Sequence, residues 1–261
     1  MLYVLPYGQM SLWGEFSCPT CINYNHIIFE SFIFISIYFS INTIAKRVLA
    51  TSRVGPHNMD ILSVVFGSLL GDSHAERHST GNGTRISFTQ EAIHKEYLLW
   101  LHNLISNMGY CTPNIPKIQT RLGVGGKLRY ILRFHSFTYS SFNWIYDLWY
   151  VNGVKSVPKN IGDFITPLAI AIWIMDDGGR VGKGLKFATN CFSYEDCLLL
   201  SKILFDKYNL HTSVQSAGVK NQYILYVFKE SMPALREIVR PYIVSSMLYK
   251  LGELHFLTIF L

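Results

Sequence analysis

The chain has 261 residues, 49% hydrophobic and 15% charged, which excludes a disordered polar chain and allows one large domain or two small ones. Lys and Arg outnumber Asp and Glu by 23 to 17, a formal charge of +6. Such an excess suits a polyanion only where the basic residues share a face. The five cysteines, Cys18, Cys21, Cys111, Cys191 and Cys197, are odd in number and dispersed, so no disulfide framework is expected and a reducing compartment fits. Cys18 and Cys21 have the spacing of half a zinc site, but no second pair follows, and they read as incidental thiols.

Residues 1–58 differ from the rest. The stretch from Ile27 to Ile44 is rich in Ile, Phe and Tyr, but Glu30 and Asn42 interrupt or flank it. Its apolar core falls short of the ~20 residues that a membrane span needs. The beginning lacks the Lys/Arg-then-apolar order of a secretory signal. A buried helix or a poorly structured leader is expected here.

From Met59 the chain runs through one plan twice. Val65 to Ser73, VFGSLLGDS, is an apolar segment delivering Asp72, and Ile170 to Gly178, IAIWIMDDG, delivers Asp177. Both read as helices apolar almost all round, hence buried, each bringing a carboxylate to an end where the helix dipole disfavours it. Side by side, the two acids would make negative charge that a divalent cation neutralises. Gly67 and Gly71, four apart on one helix face, would let a partner backbone approach; Ile172 and Asp176 stand at the matching places of the second helix, with Ala171 as its small residue.

After the first apolar helix come a polar turn, a strand from Arg85 to Gln90, and a helix from Ala92 to Met108 with apolar residues at Ile93, Tyr97, Leu98, Leu101 and Ile105. A hairpin follows: Ile115 to Leu122, the turn 123–126, and Lys127 to His135. With period two, Lys127, Arg129 and Arg133 share one face, while Leu128, Tyr130 and Leu132 share a face expected to pack on helices. Lys117, Gln119 and Arg121 alternate likewise, as a sheet lying on DNA requires. A Trp-rich helix from Phe142 to Trp149 closes this half.

The second half is shorter: a strand from Leu185 to Cys191, a helix from Tyr194 to Tyr208 opened by a Ser193/Asp196 capping box, strands near 212–215 and 222–228, and a helix from Met232 to Val239 ended by Pro241. Its nucleic-acid candidates are Arg180, Lys183, Lys186, Gln215, Lys220 and Gln222. The expected fold is α+β, an αββαββα duplication about a pseudo-two-fold axis, with two central packed helices and antiparallel sheets. The expected divisions are a leader over 1–58 and halves over 59–160 and 161–261.

On these two motif segments, the chain resembles the LAGLIDADG homing endonucleases in their monomeric, two-motif, intron-encoded form, from about Ile61 to Leu251. The resemblance implies metal binding by Asp72 and Asp177, with Gly71 and Asp176 beside them. By motif, Lys155 in the segment VKSVPKN and Lys250 in MLYKL match the family's active-site lysines, and Gln90 and Asn190 fall where it places polar residues that organise water. It implies Mg²⁺, with Mn²⁺ as a substitute and Ca²⁺ binding without turnover.

The peptide from Tyr3 to Gly14, YVLPYGQMSLWG, resembles a stretch of cytochrome b, after which that similarity stops. This is what a reading frame continuing from an upstream exon would look like, and it implies a mitochondrial gene and matrix location. The implied activity is site-specific hydrolysis of both strands of a long duplex, the intronless cytochrome b gene. The alternative is an RNA maturase that binds its own group I intron, alone or with cleavage; a non-enzymatic DNA-binding protein is the third reading.

Overall fold

The computed structural model describes residues 48–49, 52–77 and 82–253. Most of the leader, including the Cys18/Cys21 pair, the 27–44 stretch and the cytochrome b-like peptide, lies outside the described residues. Among the described residues, no helix is long and apolar enough to cross a membrane.

Helix α1 spans Met59–Leu70, and the Asn58 side chain starts it by accepting the Ile61 N–H at 3.0 Å. Its partner α4 spans Pro167–Asp177, capped by Thr166, with Pro167 in the first turn. These two helices pack along one another through the middle of the core. The contact is close because Gly67 has no side chain: a Cβ there would fall 2.6 Å from the Ala169 carbonyl oxygen. Ala169, not Ala171, is therefore the small residue facing that glycine. The α1 helix stops at Leu70, so Asp72 lies just beyond it, whereas Asp177 is the last residue of α4.

Each central helix leads into an antiparallel four-stranded sheet. The first contains β1 (His74–Arg77), β2 (Thr84–Glu91), β3 (Ile118–Leu122) and β4 (Leu128–His135), in the order β1-β2-β4-β3. A short hairpin, β5 (Tyr150–Val151) with β6 (Val154–Lys155), precedes the second half. The second sheet contains β7 (Gly178–Val181), β8 (Gly184–Ala188), β9 (Thr212–Ser216) and β10 (Tyr223–Val227), in the equivalent order β7-β8-β10-β9. Helices α2 (Lys95–Asn107) and α3 (Asn143–Trp149) accompany the first sheet, and α5 (Tyr194–Tyr208) and α6 (Met232–Val239) the second. The architecture is α+β and duplicated.

Several boundaries differ from expectation for identifiable reasons. Strands β1 and β7 are four-residue segments containing His, Arg or Gly, too short and too polar to show a period. The helix expected from Ala92 begins as a 3-10 turn over Ala92–His94, which throws Ile93 out of phase with the α-helical stripe and leaves it 82% exposed. The Ser193/Asp196 capping box forms in both directions.

Candidate active site and nucleic-acid interface

The acids collect where α1 and α4 end. Asp72 Oδ2 accepts a hydrogen bond from Gln90 Nε2 at 2.7 Å, and the same nitrogen donates to Asp176 Oδ1 at 3.0 Å. Tyr97 donates its hydroxyl to that Asp176 oxygen at 2.8 Å. The Asp176 carboxyl is thus turned into the helix interface, against Gly71, and its Oδ2 is buried without a hydrogen-bond partner. Burial first, then the charge on Asp72, pushes its pKa far above the carboxylate range. This position does not suit a metal ligand, and the expectation placed on Asp176 is corrected accordingly.

Asp177 is different. Burial and the neighbouring charge of Asp72 raise its pKa to about 7, against the pull of Lys250 and Lys155. A carboxyl group whose ionisation is opposed by burial and by a neighbouring acid marks a site that a cation would relieve. Among the described residues, no group of three or more His, Cys, Asp and Glu side chains gathers to hold a metal. The donor set is that of an ion held by one or two carboxylates and completed by water and phosphate oxygens, which is how Mg²⁺ binds beside nucleic acid.

Both lysines sit at helix ends, nearly related by the duplication. Lys155 Nζ donates to the carbonyls of Gly71 at 3.3 Å and Ser73 at 3.0 Å, following α1. Lys250, in a 3-10 turn over Ser245–Leu251, donates to the carbonyls of Met175 and, at 2.8 Å, Asp176. The ammonium groups satisfy carbonyls left over where the helices stop and offset the negative ends of the two dipoles. Burial lowers both pKa values, opposed for each by the nearby carboxylates. The Gly71 carbonyl is consequently engaged by Lys155.

Asn190 does not reach the acids: it is exposed, and its Nδ2 donates to Gln222 Oε1 at 3.0 Å. The residue in register with Gln90 is Thr189. His74 and Gly179, each two residues past its acid, pair with Ser87 and Lys186, and three residues further on stand Gln90, in β2, and Thr189, just past the end of β8. The Thr189 hydroxyl is spent on the Tyr223 carbonyl at 2.9 Å. Tyr97, which the helical period assigns to an apolar stripe, is a further member of the site. The signal for it in the sequence is that a buried phenol needs a hydrogen-bond partner.

The basic hairpin projects from the first sheet, and β3 is exposed along its whole length. Arg121 and Arg129 stand directly opposite one another, and Gln119 faces Ile131, with Arg133 further along the same face. Arg129 pairs with Glu91 at 2.9 Å, and Arg133 Nε donates to Thr89 Oγ1 at 2.9 Å. Lys117 and Lys127 are exposed just outside the strands. Like charges in direct cross-strand register are unfavourable unless an anion lies across them. A groove of about 430 Å³ runs here, lined by Asp72, Gln90, Arg121 and Arg129 among others.

The expected apolar face of β4 is only half right. Leu132 is buried, but Leu128 and Tyr130 are 49% and 55% exposed, because the hairpin tip extends beyond the helices that would cover it. In the second half, Lys186 and Gln215 lie on the open face of their sheet, in register with Tyr226 and Ile224. Lys183 sits in the β7–β8 turn, and Lys220 and Gln222 in the loop before β10. Arg180 departs from this group. It pairs with the buried Leu185, on the face opposite Lys186, and although exposed its side chain turns to the Gly182 carbonyl and toward Gly252, where a Cβ would lie 3.2 Å from it.

Comparison with known proteins places these features. Residues 62–235 match the model of the LAGLIDADG DNA endonuclease family. Over 209 residues, 77% of this chain, the sequence is 51% identical to a protein of Saccharomyces cerevisiae named Cytochrome b mRNA maturase bI2, and the match spans about half (49%) of that relative's length. It is 35% identical over 158 residues, 58% of this chain and 98% of the relative, to the Intron-encoded endonuclease ai4 of Dictyostelium discoideum. The homing endonuclease I-WcaI, solved bound to its DNA recognition sequence, shares the fold with a TM-score of 0.67 at 24% identity, covering 74% of this chain and 86% of that one. The duplicated sheets, the paired acids and the extent of the family match together establish that this chain belongs to the LAGLIDADG DNA endonuclease family.

Proposed function

We propose that the protein is a site-specific DNA endonuclease that hydrolyses both strands of a long duplex, the intronless cytochrome b gene, and thereby promotes intron homing from a mitochondrial genome. The observation that carries this reading is the convergence of Asp72, Asp177, Lys155 and Lys250 at the paired ends of α1 and α4. An RNA scaffold has no need of two acids and two lysines brought together at one pair of helix ends.

Asp72 and Asp177 would hold Mg²⁺, with Mn²⁺ as a substitute and Ca²⁺ binding without turnover; the ion supplies Lewis-acid stabilisation of phosphate charge and lowers the pKa of bound water. The chain's own residues do the rest. Lys155 and Lys250 each commit two N–H groups to carbonyls and keep a third for water or a phosphate oxygen. Gln90 fixes the orientation of Asp72. Lys117, Gln119, Arg121, Lys127, Arg129 and Arg133 bind the duplex from the first sheet, and Lys183, Lys186, Gln215, Lys220 and Gln222 from the second. The protein acts as a monomer, since one chain carries both acids. The test is cleavage of an intronless cytochrome b duplex by the purified protein, lost on Asp72→Asn or Asp177→Asn.

A second reading, an RNA maturase that assists splicing of its own group I intron, is favoured by the 51% identity to a relative named a cytochrome b mRNA maturase. It predicts intron RNA binding and splicing rescue that survive both acid-to-amide substitutions. The two activities are compatible in one chain.

A further inference from the structure

The Gln90 side chain is held by both halves of the molecule. Gln90 on β2 and Tyr97 on α2 belong to the first half, and Asp176 on α4 to the second. One oxygen, Asp176 Oδ1, accepts from Tyr97 at 2.8 Å and from Gln90 at 3.0 Å, while Gln90 also donates to Asp72 at 2.7 Å. Both N–H groups of the amide are then committed, and its Oε1 is left to order a water or a hydrated ion beside Asp72. Tyr97 is fully buried and Gln90 6% exposed, so water competes weakly for these bonds.

The second half has nothing comparable. Thr189, in register with Gln90, is too short to span the same gap and bonds the Tyr223 carbonyl instead. Gly71, in the place of Asp176, has no side chain at all. The duplication has therefore kept the acids and lysines in both halves and the amide clamp in one.

We propose that Tyr97 and Asp176 are positioning residues that lock Gln90 against Asp72, and that this one-sided clamp makes the two strands of a bound duplex be cut at unequal rates. The rate claim rests on the endonuclease reading; the clamp itself does not.

Two measurements on the full chain test it. In the first, an intronless cytochrome b duplex, end-labelled on each strand in turn, is cut under single turnover with Mg²⁺. The native protein cuts one strand first and accumulates a nicked intermediate. Tyr97→Phe slows that faster strand about tenfold and leaves the other within about twofold, the size expected from losing one buried hydrogen bond to a carboxyl. Asp176→Asn keeps an accepting oxygen for both donors and preserves the ratio of the two rates. Tyr110→Phe, which removes a part-buried hydroxyl hydrogen bond to His57 away from the acids, changes neither rate. Equal slowing of both strands by Tyr97→Phe, or an unchanged ratio, overturns the proposal.

The second measurement needs no cleavage. In protein labelled with ¹⁵N-glutamine, the Gln90 side-chain amide protons exchange slowly with water and become fast in Tyr97→Phe. Unchanged exchange overturns the clamp. A native protein with the slow amide that cuts neither strand overturns the rate claim together with the endonuclease reading, and leaves the clamp standing.

Discussion

Gly71 and Asp176 occupy equivalent places where the two central helices end, and the side chain of the second fills the room left by the missing side chain of the first. A Cβ on Gly71 would lie 2.6 Å from Asp176 Oδ2 and closer still to its Cβ. The asymmetry of the site starts from this pair, because a buried carboxyl fits on one side only.

Gly71→Ala is accordingly expected to destabilise the protein by about 2 kcal/mol through overpacking. Adding Asp176→Gly removes the opposing atoms, so the double variant should lose less than the sum of the two single losses, by about 1 kcal/mol or more. Chemical denaturation of the four proteins measures this coupling. Additive losses would show that the two positions do not share one space.

Asp177 gives a pH dependence of known sign. Its pKa is raised from the ordinary 3.8 to about 7, so the folded state binds the proton more tightly than the unfolded chain. Without divalent cation, this group's contribution to stability falls as pH rises from about 4 to about 7 and is flat above. Asp177→Asn should therefore stabilise the metal-free protein at pH 8 by on the order of 2 kcal/mol, below the ceiling of about 4 that the full shift sets. The same variant should cut no DNA. Melting curves at pH 5 and pH 8 check it, and a variant less stable than the native protein at pH 8 contradicts the electrostatic account.

The facing guanidiniums of Arg121 and Arg129 separate stability from binding. Replacing Arg121 with Ala removes a cross-strand repulsion and should leave folding stability unchanged or slightly higher, whereas Arg129→Ala also breaks the exposed ion pair with Glu91 and should change stability by less than about 1 kcal/mol. DNA affinity should fall, and the slope of log affinity against log salt should drop by about 1 for each phosphate that the variant no longer neutralises. Arg180→Ala, on the face of the second sheet opposite Lys186, should leave that slope unchanged. Fluorescence anisotropy with a labelled duplex at several salt concentrations gives both quantities.

Much of this site can be read from the chain because the relevant signals are local. Asp72 and Asp177 end apolar runs, Ser193 and Asp196 lie at capping distance, and Arg121, Arg129 and Arg133 alternate along strands. What stays hidden depends on register between distant segments. Thr189, rather than Asn190, is the counterpart of Gln90 once the pairings of the two sheets are matched, and Asn190 is one residue too far along. Arg180 has the charge of the basic set, but its pairing with Leu185 puts it on the other face. Tyr97 falls in a helical stripe with Leu98 and Leu101, and nothing nearby in sequence marks Asp176 as its partner. Tyr130 and Leu128 have the period of a packed face, but the helices do not extend far enough to cover them.

The most direct measurement is strand cleavage of an intronless cytochrome b duplex by the purified protein in Mg²⁺, alongside Asp72→Asn and Asp177→Asn variants verified as folded. Double-strand scission by the native protein, lost in both variants while DNA binding persists, is the expected result. Scission that survives either substitution, or a folded native protein that binds the duplex and leaves both strands whole, would contradict the assignment of phosphodiester chemistry to these two acids.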